Sequence, residues 1–526
     1  MSLKKKTKNT LLGIEIEINE KFQEAIDLAE NTQKNIFITG KAGTGKSTLL
    51  NYFRQITKKQ IVVLSPTGVG AVNVGGETIH SFFRFKPDIT EKKAKEIAKE
   101  ARRWGVEIFK TLDAIIIDEV SMVRADLLDC IDIFLRTILK NRLPFGGKQM
   151  IFIGDLYQLP PVTTKKDKEI FKLNYKSPYF FDAKVFSKIS MEFIELEKIY
   201  RQSDPKFIEL LNAIRNNTIS DSQIKLLNKR VNPNIDIKNL DKGYVYLTSI
   251  NRLADQINKF QLDKINRRKY ILQGEIKGEF DQRYLPTEIN LEVKNEAQVM
   301  LLNNDSKGRW INGTIGWIKK INKDEIIVNL ENGKKVSVQP FRWEIFETFF
   351  NKKTNSLDKK ILGSFLQYPI KLAWALTIHK SQGKTFNKII IDTSGGIFAP
   401  GQIYVALSRA TTLDGIILKN KIKKSAIFTD WRIVKFLTQY QYKLGEKKNP
   451  LKKKVELIKE AIENKNKLEI VYLKTCDQKT KRVILPTQIG EMEYCHKRYL
   501  GVEAYCFLRK EKRTFRIDRI LEIKLL

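Results

Sequence analysis

The densest chemistry in the chain sits at Gly40-Lys-Ala-Gly43-Thr44-Gly45-Lys46-Ser47, with Thr48 following. This is the pattern GxxxxGK[ST], whose glycines let backbone N–H groups curl around phosphate oxygens. Lys46 brings a cation to the β- and γ-phosphates of a nucleoside triphosphate, and the Ser47 hydroxyl is a ligand for Mg²⁺. A second constellation is the pair Asp118-Glu119. One carboxylate suits the Mg²⁺ shell and the other suits polarisation of an attacking water. Gln158, in Gly154-Asp-Leu-Tyr-Gln158-Leu-Pro-Pro161, is expected to touch the γ-phosphate. Gln23, in Asn19-Glu-Lys-Phe-Gln23, either reads an adenine edge with its donor and acceptor or faces solvent from a helix. Alone, these groups describe a hydrolase of ATP or GTP and nothing more.

Three apolar runs must deliver them. Asn35-Ile-Phe-Ile-Thr39 leads into the glycine loop, Leu112–Ile117 ends at the two carboxylates, and Gln149–Gly154 leads toward Gln158. Unbroken runs rich in β-branched residues fit parallel strands buried on both faces, and such strands present their C-terminal ends to the ligand crevice. Pro160 and Pro161 stop the third run abruptly. The fold expected is therefore α/β.

The 526 residues exceed what one core accommodates, which suggests three or four domains. Lysine and arginine number 95 against 60 aspartates and glutamates, for a formal net charge of +35. Such a chain repels itself, and a polyanionic partner is the natural counterpart, although a lysine-rich genome would give the same balance. Hydrophobic residues at 42% and charged residues at 29% indicate a globular chain. Cys130, Cys476, Cys495 and Cys506 form no CxxC pair, so neither a zinc or iron–sulfur site nor a disulfide framework is expected. They fit a reducing, cytoplasmic compartment. The basic start Met1–Lys8 has no apolar stretch after it, and no run reaches about 18 apolar residues, so no membrane span is expected.

Further segments give a resemblance. Leu64-Ser-Pro66-Thr67-Gly68-Val-Gly-Ala71 looks like motif Ia of the superfamily 1B helicases, the group containing RecD and the Pif (petite integration frequency) helicases. Gly76-Glu-Thr-Ile-His80-Ser81-Phe82-Phe83 looks like motif Ib, Gly154–Pro161 like motif III, and Leu196-Glu-Lys-Ile-Tyr-Arg201-Gln202 like the arginine motif after it. Thr377-Ile-His379-Lys380-Ser381-Gln382-Gly383-Lys-Thr385 is similar to motif V, and Tyr404-Val-Ala-Leu-Ser408-Arg409-Ala410 to motif VI. All occur in family order over roughly residues 19–412, and the Pif branch is the nearest look-alike.

The resemblance implies two RecA-like P-loop NTPase domains and ATP with Mg²⁺ as cofactors. It implies a monomer that works 5′→3′ on single-stranded DNA and on duplex or fork DNA. Arg201 and Arg409 would be arginine fingers from the second motor domain, a device worth about 10³–10⁵ in rate in other NTPases. Gln382 and Gly383 would line the nucleotide cleft. Pro66, Thr67, Gly68, His80, Ser81, Phe82, Thr377, His379, Lys380 and Ser381 would line one DNA groove across both motor domains. One of Phe82 and Phe83 is expected in the core.

By the same analogy, residues 1–190 form motor domain 1A, with a 1B pin insert at about 84–106 that contains the charged helix Thr90–Trp104. Residues 191–266 and 366–442 form motor domain 2A, and 267–365 form the 2B insert, a small β-barrel. Within that insert, Ile326–Leu330 and Val336–Val338 alternate around Asn332-Gly333, a hairpin signal, and Ile311-Asn-Gly-Thr-Ile315 suggests another turn. A linker is expected at 443–450. Residues 451–526 begin with a helical run, Leu451–Asn464, and then turn β-rich. Tyr499–Cys506 and Arg513–Ile520 resemble the WYL domain, although the literal Trp-Tyr-Leu triplet is absent. Arg513, Arg516 and Arg519 cannot share one strand face, so they should divide between structural pairing and a basic groove. This module would assist single-strand binding or regulate the motor. Two other readings stay open: a DNA-stimulated ATPase acting as a ligand-sensing regulator, and a RecD- or relaxase-type component of a larger complex.

Overall fold

The computed structural model describes residues 10–11, 14–103, 105–163, 171, 173–282, 285–474, 477–494 and 496–526. The basic start, Trp104, Cys476 and Cys495 lie outside the described residues. The chain divides into two compact units, Met1–Asn212 with Ser220–Ile427, and Ala213–Ile219 with Phe428–Leu526.

After a short antiparallel pair, Thr10–Leu11 with Ile14–Glu15, the first unit runs through α1 (Glu20–Asn31), β1 (Asn35–Gly40), α2 (Lys46–Ile56), β2 (Ile61–Ser65), α3 (Gly68–Asn73) and β3 (Glu77–Thr78). After α4 (Glu91–Ala101) come β4 (Ala114–Ile117), α5 (Ala125–Leu139), β5 (Gln149–Gly154) and β6 (Met191–Leu196). These six strands form one parallel sheet in the order β3-β2-β4-β5-β1-β6. Alternation along the strands fills both faces. Ile36, Ile38, Ile116, Ile151 and Ile153 pack with Phe22, Ala25 and Ile26 of α1 and Leu49, Leu50 and Phe53 of α2. Phe37 makes edge contacts with Phe180 at 5.6 Å and Phe193 at 5.7 Å. Burying both faces explains why these strands read as continuous apolar runs.

One expectation changes here. The boundary at 190/191 is displaced, because β6 pairs with β1 in this first sheet along its whole length, from Asn35↔Met191 to Gly40↔Leu196. The charged helix of the expected 1B insert buries an alanine stripe, Ala94, Ala98 and Ala101, and leaves most of its lysines exposed.

A second parallel sheet begins with β7 (Tyr244–Thr248) and is interrupted by a long antiparallel insert. The insert comprises β8 (Lys269–Gln273), β9 (Glu275–Gly278), β10 (Asn290–Lys294), β11 (Gln298–Leu301), β12 (Ile315–Ile321), β13 (Ile326–Leu330) and β14 (Lys335–Val338). It ends with β15 (Phe341–Asn351), β16 (Ser356–Gln367) and β17 (Ile370–Leu372). Its centre is a five-stranded sheet, β14-β13-β12-β11-β17. The Asn332-Gly333 turn joins β13 and β14 in the register Asn329↔Lys335, with Gly333 at φ +80°. Because β17 pairs with β11, the insert extends past the expected end at 365. The second sheet then resumes with β18 (Ala375–Thr377), β19 (Lys388–Ile391) and β20 (Ile416–Leu418), in the order β18-β7-β19-β20, all parallel.

The long hairpin β15–β16 reaches the edge of the first sheet. The Thr348 N–H donates to buried Glu77 Oε1 at 3.0 Å, and the Thr348 hydroxyl donates to the same oxygen. Arg84 pairs with Glu347 at 2.9 Å, and Lys359 Nζ donates to the Gly75 carbonyl at 3.0 Å.

The second unit contains α6 (Trp431–Lys448) and α7 (Leu451–Glu463), then β21 (Leu468–Leu473), β22 (Lys479–Tyr494), β23 (Lys497–Cys506), β24 (Glu511–Arg516) and β25 (Ile520–Leu525). The strands form an antiparallel sheet, β24-β23-β22-β21-β25, over a core that includes Ile458, Leu468, Ile470, Ile484, Val502, Phe515 and Ile520. No linker occupies 443–450, since α6 runs through Lys448 and only Asn449 and Pro450 separate it from α7. Gly445, inside α6, allows close packing, because a Cβ on it would lie 3.0 Å from Leu521 Cα. Arg513 and Arg516 make short-range pairs with Glu511 and Asp518. The arginine packed inward is Arg482, at 5% exposure, over Tyr472 and Phe515.

Candidate nucleotide cleft and nucleic-acid groove

The phosphate loop follows β1 without a break. Gly43 and Gly45 stand at φ +81° and +86°, where side chains are disfavoured. Space requires glycine too, because a Cβ on Gly43 would lie 2.6 Å from Arg201 Cβ and one on Gly45 would lie 3.0 Å from Phe22 Cζ. Gly45 caps α2 without a side chain, so the helix N-terminus is open to an anion. Lys46 Nζ donates to the carbonyls of Gly40 at 2.7 Å and Lys41 at 3.1 Å. The Ala42 N–H donates to the Tyr404 hydroxyl at 2.9 Å, which ties the loop to the motif VI helix Gln402–Leu407.

A cavity of about 740 Å³, within the range of nucleotide-sized pockets, lies over this loop. Gly43, Thr44, Gly45, Lys46, Ser47 and Thr48 line it together with Glu119, Gln158, Arg201, Gly383 and Arg409. Gly40 sits behind the loop at the end of β1, and Asp118 is buried beside Glu119. Gln382 joins the cleft through its amide, donating to Glu119 Oε2 at 3.3 Å and Gln158 Oε1 at 3.2 Å. Phe22, Tyr200, Tyr404 and Ile311 were not singled out from the sequence. Phe22, Tyr200 and Ile311 line the cavity, and Tyr404 anchors the loop.

Two expected roles are corrected. Gln23 is exposed, donates to Asp27 Oδ1 at 2.8 Å and is absent from the cavity wall. Helical periodicity turns its neighbour Phe22 inward in its place. Arg201 belongs to the connector leaving the first sheet, five residues after β6 ends, rather than to the second sheet. It still bridges the two, donating to the carbonyls of Ser408 at 3.2 Å and Gly383 at 3.4 Å. Buried Gln202 reinforces this with donations to Ser408 and Ala410.

The electrostatics suit hydrolysis. Burial, then the neighbouring Asp118, pushes the Glu119 carboxyl up to about 7. Glu119 also holds a left-handed φ of +50°, a strained conformation of the kind found at functional sites. Arg409 is 1% exposed, and burial, then Arg201, holds its guanidinium down to about 9. It donates to Val405 O at 2.9 Å, Lys384 O at 3.3 Å and Ser408 Oγ at 2.7 Å.

The expected DNA-facing residues separate into accessible and inaccessible groups. Pro66 and Thr67 are half-buried, and Thr67 caps α3 by accepting from the Gly70 N–H. Gly68 is buried in the first turn of α3. Ser81 is exposed, and His80 is half-buried, its imidazole held below its ordinary range by burial and by Arg124. Phe83 is the core member of the phenylalanine pair, at 1% exposure, and Phe82 rests edge-on against it and against Phe109. His379 and Lys380 are exposed. Thr377 and Lys380 line a second cavity, of about 540 Å³, with Asn251 and Lys371. Ser381 is fully buried and its hydroxyl donates to Ile378 O, so it supports the motif V turn and offers nothing to a ligand.

Comparison with known proteins agrees with this geometry. The PIF1-like helicase family matches residues 14–225, and the WYL domain family matches residues 453–525. The ATP-dependent DNA helicase Pif1 of Bdellovibrio bacteriovorus is 31% identical over 439 residues, covering 81% of this chain and 93% of that protein. Human ATP-dependent DNA helicase PIF1 is 32% identical over 75% of this chain and 59% of its own length. Among solved structures, Bacteroides sp Pif1 in complex with ADP-AlF4 superposes with a TM-score of 0.73 at 36% identity, covering 81% of this chain and 97% of that one. Bacteroides Pif1 bound to ssDNA gives 0.55 at 36% identity, covering 80% and 96%. With a Pif1 relative above 30% identity along most of the chain and the phosphate loop, carboxylates and arginines gathered on one cleft, this chain belongs to the Pif1 helicase family, and its C-terminal region carries a WYL domain.

Proposed function

We propose that the chain is an ATP-driven DNA helicase that moves 5′→3′ along single-stranded DNA as a monomer and opens duplexes and forks. The observation that carries this reading is the composition of one cavity wall. The phosphate loop, Glu119 and Gln158 of the first motor domain face Gly383 and Arg409 of the second, with Arg201 between them. Closure on a triphosphate therefore draws the two motor domains together, and hydrolysis releases them.

In this reading the loop N–H groups and Lys46 hold the phosphates. Glu119, with a carboxyl near neutrality, accepts a proton from the attacking water, and Gln158 and Gln382 hold that carboxylate and the γ-phosphate in register. Arg201 and Arg409 meet the charge that develops on the transferred phosphoryl group. Ser47 and buried Asp118 offer a hydroxyl and a carboxylate, a hard oxygen donor set that fits Mg²⁺. Bound there, the ion would neutralise phosphate charge. Thr67, His80, Ser81, Phe82, Thr377, His379 and Lys380 are assigned to the strand's path, with backbone contacts dominating and base preference weak. The WYL unit is assigned an accessory role in single-strand binding, supported by exposed basic residues such as Arg509, Lys510 and Lys512.

An unwinding assay on 5′- and 3′-tailed duplexes, with and without ATP, tests the proposal. Displacement only from the 5′-tailed substrate, with ATPase stimulated by single strands, is expected. If about six phosphates are neutralised, strand affinity should fall on the order of 10³-fold between 50 and 200 mM salt. ATP consumption indifferent to oligonucleotide, with no strand displaced, overturns it. Stimulation without displacement would favour the regulator reading.

A further inference from the structure

The turn Ile311–Ile315 lies in the insert, outside both the phosphate loop and the motif V and VI segments, yet its residues reach both motor domains. The surrounding loop is heavily constrained. Asp305 accepts from the backbone N–H groups of Lys307 and Arg309 and from the Arg309 side chain. The Trp310 indole donates to Asn303 Oδ1 at 3.1 Å, and the Asn312 N–H donates to Asn304 Oδ1 at 2.8 Å. Gly313 holds φ +103°, open only to glycine, and its missing Cβ would stand 3.3 Å from Lys384 Cβ. The loop thus presents the Asn312 side chain in a fixed direction.

That side chain joins two elements. Asn312 Oδ1 accepts from Lys384 Nζ at 2.7 Å, and Asn312 Nδ2 donates to Asn73 Oδ1 at 3.1 Å. An ammonium only donates, so the amide orientation is fixed: its oxygen must face Lys384 and its nitrogen must face Asn73. Lys384 is the residue after Gly383, and its carbonyl accepts from the Arg409 guanidinium. Asn73 is the last residue of α3, the helix that Thr67 caps at the expected DNA groove. An unbroken series of hydrogen bonds therefore runs from the end of α3 through Asn312 and Lys384 to the buried arginine of the nucleotide cleft. On the cleft side, Ile311, the neighbour of Asn312, lines the nucleotide cavity itself.

We propose that Asn312 is a positioning residue for DNA-driven hydrolysis: it links the register of α3 to the placement of Lys384, and so of Arg409. Lys384 is half-buried, burial and then Lys371 hold its amine down to about 8, and the Asn312 oxygen is the acceptor that its ammonium meets there. When a strand shifts α3, the Asn73 contact changes, and the strut carries the change to the backbone that seats the arginine. The assignment rests on the helicase reading above, and it predicts which contact carries the stimulation.

The test uses the full chain and measures ATPase without DNA, ATPase at saturating single strand, strand affinity and thermal midpoint. Asn73→Asp keeps the accepting oxygen and should retain wild-type stimulation. Asn73→Ala loses it, and Asn312→Asp keeps the Lys384 contact but loses the donor to Asn73. Each should cut the ratio of stimulated to basal rate about 5- to 30-fold, in the range of measured couplings. The double variant Asn73→Ala, Asn312→Asp should be no worse than either single variant, because both break the same contact. Unchanged ratios in both single variants overturn the proposal, as do effects that multiply in the double variant. A loss confined to strand affinity, with stimulation intact at saturation, also overturns it and makes Asn73 a DNA contact only. If the wild-type chain shows no stimulation, it is the helicase reading that fails.

Discussion

Arg409→Met separates what the arginine does for catalysis from what it costs the fold. The guanidinium is 1% exposed, and burial holds it down to about 9 from an ordinary 12.5. That gap corresponds to roughly 5 kcal/mol against the charged form. The folded value lies below the unfolded one, so the cost is present at every pH below about 9 and is relieved only as pH rises through it. The donations to Val405, Lys384 and Ser408, at about 1.5–3 kcal/mol each, offset most or all of it. Methionine fills similar volume, removes the charge and leaves the Lys384 carbonyl short of one donor. The two effects nearly cancel, so the nucleotide-free variant should melt at or slightly above the wild-type temperature. Its kcat should fall by about 10³ or more, which is about 4 kcal/mol of transition-state stabilisation. Thermal shift with ADP and with ADP plus fluoroaluminate provides the link. The wild type should gain more from the second ligand than from the first, and the variant should lose that increment. A wild-type kcat in Arg409→Met refutes the finger assignment. A large fall in melting temperature of the nucleotide-free variant refutes the claim that this cation is held at a cost.

Other outcomes follow from particular contacts. Gly43→Ala places a Cβ 2.6 Å from Arg201 Cβ at φ +81°, so nucleotide affinity and kcat should both fall by at least about 10-fold (roughly 1.4 kcal/mol) with the fold intact by circular dichroism. Burial pushes the Glu77 carboxyl up from its ordinary 4.5, against the Thr348 bonds and Lys359 that pull it down. The folded state at this site therefore favours the protonated form, and its stability should weaken as pH rises from 4.5 through the raised value. Hydrogen exchange of residues 347–359 should report this, and Glu77→Gln, which keeps the accepting oxygen, should remove the pH dependence. Truncation after residue 427 should yield a soluble ATPase. Truncation after residue 446 leaves most of α6 without β25, exposes Ile433, Phe436 and Leu437, and should aggregate in sedimentation assays.

The sequence by itself determined whatever is encoded over a few consecutive residues. The phosphate loop, the carboxylates ending β4, the Asn332-Gly333 hairpin and the helix from Leu451 all rest on local backbone preference and short periodicity, and the structure has them where they were expected. Motif order also revealed which distant segments would meet at the cleft. Tertiary packing alone decided the rest. Whether β6 belonged to the first sheet depended on which strand edge was free beside β1. Gln23 and Phe22 are adjacent, and only the position of the sheet beneath α1 determined which of them faced the cavity. Gly445 lies inside α6, and against Leu521 it is what lets a helix approach a strand. The motif V resemblance put Ser381 on the strand's path, and it is buried because the motif V turn folds over it. Local rules fix the conformation of a segment; which of its faces is covered depends on partners remote in the chain, and no short window of sequence contains them.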